Sequence, residues 1–116
     1  MELLLKKLSL ITLYELHNYV DKYKKFMKFC KANFPAKCPV SIRRVKLSSK
    51  FDAVCIFKNN NFLIKINNLL PEHEAIEALI HEYAHVLSWD DFVDEEHCNE
   101  WGKAYSKIYR AFIKNF

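Results

Sequence analysis

The chain reads as one α+β domain: an N-terminal helix, a small, mainly antiparallel three-stranded sheet, and two further helices. Three observations predict this. Apolar residues recur at helical spacing in three stretches, and they alternate with a period of two between residues 40 and 66. The 116 residues, 51% hydrophobic and 15% aromatic, suit a single core spanning residues 1–116.

In the first helix, placed at about 10–32, Leu13, Leu16, Val20, Tyr23, Met27 and Cys30 repeat every three or four positions. Lys22, Lys24, Lys25, Lys28 and Lys31 fall mostly on other faces. Pro35 and Pro39 bracket a loop, because proline removes an amide donor and disfavours helix in the residue before it. A first strand carries Val40, Ile42, Val45 and Leu47, and its change of phase at Arg43 and Arg44 suggests a bulge. Phe51, Ala53, Cys55 and Phe57 mark a second strand, and Phe62, Ile64 and Ile66 a third. The asparagine run between them tolerates left-handed backbone and predicts a hairpin loop. Pro71, Glu72 and Glu74 open the second helix, which runs to about Leu87 along Ala75, Ile76, Leu79, Ile80, Tyr83 and Ala84. The last helix is expected to start at Asp94, with Trp101, Ala104, Tyr105, Ile108 and Phe112 facing inward.

No apolar run approaches the roughly 20 residues of a membrane helix, and Lys6 and Lys7 interrupt the one at Leu3–Leu5. Neither membrane spanning nor a secretory signal is expected. Cys30, Cys38, Cys55 and Cys98 form no C-x-x-C pair and read as reduced thiols in a cytoplasmic protein. Residues 1–50 hold 12 Lys or Arg against 3 Asp or Glu, while residues 51–116 hold 6 against 11, so +9 and −5 make the net +4. The basic half offers a DNA contact or a contact with another acidic partner, against the plainer reading of a solvated lysine-rich helix face.

The chemistry concentrates in the second helix as His81-Glu82-Tyr83-Ala84-His85, the pattern H-E-x-x-H. Histidines four apart share a helix face and can bind one zinc ion, and Glu82 is placed to take a proton from the attacking water. A catalytic zinc takes three protein ligands, so a third must come from elsewhere. Asp91, six residues beyond His85, does not supply a histidine. His97 is the preferred candidate, followed by Glu100, then Glu95, Glu96 and Asp94. His17 and His73 read as surface residues, Glu77 as a partner for the far nitrogen of His81, and Cys98 as a half-buried residue. Tyr83, Tyr105 and Tyr109 are candidates to steady an oxyanion.

The run His81-Glu82-Tyr83-Ala84-His85-Val86-Leu87, followed by His97-Cys98-Asn99-Glu100-Trp101-Gly102, resembles the SprT-like (Spartan-type) zinc metallopeptidases. Tyr109-Arg110 brings it closer to phage or bacterial members of the short form without a zinc ribbon, and the likeness spans roughly residues 51–112. It implies a zincin-like domain holding one zinc per chain on His81, His85 and His97, with Glu82 as general base. It also implies protein or peptide substrates, often DNA-associated, and a sheet edge near Ile64 and Ile66 where an extended peptide adds as a strand. Cys98 departs from the usual glycine. Glu95, Cys98, Asn99, Trp101 and Gly102 also echo the ImmA/IrrE-type peptidases, which would make Glu95 the third ligand. The competing expectation is a DNA- or protein-binding module with a structural or vestigial zinc site, contacting DNA through Lys22, Lys25, Lys28, Arg43 and Arg44.

Overall fold

A computed structural model describes residues 22–90 and 98–116. The expected helical stretch before residue 22, His17, and Asp94, Glu95, Glu96 and His97 lie outside the described residues.

Helix α1 covers 22–33 and turns Tyr23, Phe26 and Cys30 into the core, while Lys24, Lys25, Lys28 and Lys31 stay exposed. Three strands follow: β1 (Val40–Val45), β2 (Ala53–Lys58) and β3 (Asn61–Asn67). Asn59 and Asn60 between β2 and β3 both have positive φ, 54° and 58°, the left-handed pair that a two-residue hairpin turn requires. Helices α2 (Glu72–Leu87) and α3 (Asn99–Asn115) complete the chain.

The sheet is mixed rather than mainly antiparallel. Its order is β1-β3-β2, with β2 antiparallel to β3 and β1 parallel to it. The chain returns from the hairpin so that β3 slots between its two predecessors, and only the β2–β3 pairing is joined by a tight turn. Consequently β3 is the central strand. Ile64 and Ile66 are fully buried within it and form no sheet edge; among the described residues the edges belong to β1 and β2. The bulge expected at Arg43 and Arg44 is absent, because β1 keeps continuous register from Val40↔Phe62 to Val45↔Asn67.

One face of the sheet carries the core. Phe62, Ile64 and Ile66 of β3 share it with Ile42 and Arg44 of β1 and with Cys55 and Phe57 of β2, their register partners. Helix α2 packs on β2 and β3 through Ile76, Leu79, Ile80 and Tyr83, and α3 packs on α2. Each fully buried Ile or Leu of this layer contributes roughly 1.5–3 kcal/mol by leaving water. Phe26 of α1 meets Phe112 of α3 edge to face at 5.0 Å, which closes the helical layer. Helix α3 begins at Asn99 with Cys98 as N-cap, five residues later than the acidic run at Asp94 suggested. Of its expected inner face only Ile108 is fully buried; Trp101, Ala104, Tyr105 and Phe112 are half-buried against the core.

Arg44 is the charged exception on the inner face. Its guanidinium lies 5.2 Å from the centre of the Tyr23 ring, and Nη2 donates to the carbonyls of Leu70 (2.8 Å) and Asn67 (3.3 Å). It therefore ties α1, β1 and the β3–α2 connection together instead of facing outward as a DNA contact. All four cysteines are free. No helix among the described residues is long and apolar enough to cross a membrane.

Candidate metal centre

Helix α2 sorts its residues by face. Leu79, Ile80 and Tyr83 go inward, and the neighbouring row carries His81 and His85, both half-buried. Four residues along an α-helix make slightly more than one turn, so the two imidazoles lie one above the other. Their Nε2 atoms are 3.3 Å apart. Two nitrogens bound tetrahedrally to one zinc at 2.0–2.1 Å would stand about 3.3–3.4 Å apart, so the spacing of the pair is one that a shared zinc ion requires. Glu82 is 8% exposed, one of two buried polar residues among those described. It lies close enough to Cys55 of β2 that its charge adds to the burial that pushes the Cys55 thiol up to about 12.

On the other side the pair meets α3. The Trp101 ring lies 5.0 Å from the His81 ring and 5.6 Å from the His85 ring, and its Nε1–H donates to the backbone carbonyl of His81 at 3.2 Å. Tyr105 backs Trp101 at 5.2 Å, and Tyr109 follows at 6.1 Å, nearly parallel. One turn beyond His85, Trp89 joins Phe57 and Phe62 at ring distances of 5.7 and 5.6 Å. The histidine pair on α2 is thus covered on one side by the first turn of α3.

Several sequence candidates fall elsewhere. Glu100 points to solvent, with its side chain 71% exposed and Oε1 3.5 Å from the Lys103 ammonium. Among the described residues no third His, Cys, Asp or Glu joins the pair in a metal-sized group. His97, Glu95, Glu96 and Asp94, the other third-ligand candidates, lie outside them. Glu77 is exposed and makes no hydrogen bond to His81, and His73 is exposed two turns away. Tyr83 is committed elsewhere: its hydroxyl donates to the Phe34 carbonyl at 2.7 Å, and burial raises it to about 12. It therefore steadies no oxyanion. The edge-strand expectation moves from Ile64 and Ile66 to β2, whose outer side pairs with no other strand among the described residues. Because Asn67 N–H bonds to Asp52 O at 2.8 Å, the alternation of an antiparallel ladder turns the N–H and C=O of Cys55 and Phe57 toward that open edge. In the sequence Trp101 reads as part of the inner face of its helix and of the run that carries the resemblance. Its contact with both imidazoles has no signal in a single sequence, since it depends on how α3 crosses α2.

Set against protein-family profiles, curated proteins and solved structures, the chain matches none.

Proposed function

We propose that this chain is a zinc-dependent peptidase of the SprT-like kind, with His81 and His85 as two metal ligands, His97 as the third and Glu82 as general base. The observation that carries the reading is the 3.3 Å spacing of the two Nε2 atoms, the edge length of a tetrahedral zinc site. Zinc held there supplies Lewis-acid polarisation of the scissile carbonyl and eases ionisation of the attacking water. Glu82, next in sequence to the first ligand and buried toward β2, takes the proton of that water and returns it to the leaving amine. An extended peptide adding along β2 would pair with the open backbone groups of Cys55 and Phe57.

The test is elemental analysis followed by a cleavage assay. One zinc per chain is expected in the parent and its loss in His81→Ala and His97→Ala, whereas Glu82→Gln keeps the metal and loses about 10²- to 10⁴-fold in peptide hydrolysis. Undiminished hydrolysis by Glu82→Gln would overturn the mechanism. The second reading, a binding module with a structural or vestigial zinc site, draws on the exposed Lys24, Lys25, Lys28 and Lys31 of α1 and the exposed Arg43. It requires salt-dependent DNA binding and no turnover.

A further inference from the structure

We infer that Trp101 is the positioning residue of the metal centre, holding the two imidazoles in their ligating arrangement before a metal ion arrives. The inference rests on the zinc reading above. Histidine side chains on a half-exposed helix face have several rotamers, and fixing two of them together costs conformational entropy that metal binding must offset. Here one indole limits both. Its ring meets His81 at 5.0 Å with a 62° interplanar angle, near edge to face, and meets His85 at 5.6 Å and 35°.

The same residue also grips the backbone. Trp101 Nε1–H donates to the His81 carbonyl at 3.2 Å, so the ring that orients the imidazoles is fastened to the helix that carries them. Trp101 cannot swing away easily, because the Tyr105 ring packs against it at 5.2 Å, tilted by 34°, and Tyr109 stacks on Tyr105. The order along this row is imidazole pair, indole, phenol, phenol. Three aromatic residues spaced four apart on α3 brace a pair spaced four apart on α2. Partners outside the ligand shell that orient metal ligands are worth about 10- to 100-fold in metal affinity. Here ring packing and a backbone hydrogen bond contribute to the orienting.

The experiment uses the full chain with Trp101→Leu, which keeps apolar bulk and removes the flat ring, and Trp101→Phe, which keeps a ring and removes the N–H donor. Zinc affinity is measured by competition with a chromophoric chelator. Cobalt(II) absorption in the visible reports ligand geometry, and far-ultraviolet circular dichroism of the metal-free proteins reports folding. Trp101→Leu is expected to stay helical, to bind zinc about 10-fold more weakly and to show a changed cobalt band. Trp101→Phe should lose about threefold, the share of one hydrogen bond. A residue that only filled space would leave the cobalt band of the folded variants unchanged. Folded variants that bind zinc within about twofold of the parent, with the parental cobalt spectrum, overturn the inference and leave the zinc site standing. If Trp101→Leu does not fold, Trp101→Phe decides by the same criterion. A parent that binds no zinc overturns the metal reading and this inference with it.

Discussion

Tyr83 sits inside the H-E-x-x-H run, yet its hydroxyl reaches back 49 residues to the Phe34 carbonyl. Tyr83→Phe keeps the ring in the core and strands that carbonyl, so a loss of about 1–3 kcal/mol is expected in urea unfolding. The motif was readable from residue types and spacing because its logic is local to one helix. The Tyr83 bond was not, because nothing in the neighbours of Tyr83 points to Phe34. Arg44 gives the same lesson: a charge beside Arg43 in sequence reads as surface, but strand alternation turns it under the Tyr23 ring. Burial also shapes the response to pH. It raises Cys30, Tyr23 and Tyr83 to about 12, and raises Cys55 equally with Glu82 adding to it. Thiols and phenols in the unfolded chain ionise near their ordinary values of 9 and 10, so the folded state holds these protons more tightly. Their contribution is complete below about pH 9 and is lost as pH rises toward 12. Thermal melts taken in pH steps should therefore fall steeply on the alkaline side, and a flat profile up to pH 11 would contradict the burial of these groups.

The hairpin was the most legible element, because asparagine is one of few residues that accept two consecutive left-handed positions without a glycine. Asn59→Val should cost about 1–2 kcal/mol by placing a β-branched side chain at φ 54°. Asn60→Gly should be neutral or mildly stabilising, and chemical denaturation of the pair tests both. The start of α3 was less legible. Asp94, Glu95 and Glu96 have the composition of a helical first turn, but the helix begins at Asn99 behind a Cys98 N-cap that makes no side-chain capping bond. Composition marks where a helix can start, and packing against α2 selects where this one does.

The α+β class was legible for the whole molecule because it follows from the order of periodic segments. Strand order and direction were not, since β1–β3 pairing joins residues 22 apart in sequence, as in Val40↔Phe62, with no local signal of direction. The charge imbalance carries its own expectation. If the basic half meets DNA, reversing Lys25, Lys28 and Arg43 should abolish binding and flatten its dependence on salt, as read by fluorescence anisotropy. Arg44 should not be included, because its reversal would damage the fold.

The insertion of β3 between β1 and β2 also sets an order of events in time. The β2–β3 hairpin closes through two residues and can form in microseconds, whereas β1 can dock only once β3 is present to receive it. Substitutions in the hairpin, such as Ile64→Val, should slow refolding in proportion to their cost in stability. Ile42→Val in β1 should act mainly by hastening unfolding. Stopped-flow refolding of the two variants distinguishes this sequence from one in which all three strands assemble together. A nascent chain would thus hold β1 unpaired until its partner strand has been made, and during that interval the exposed strand has only α1 upstream of it for company.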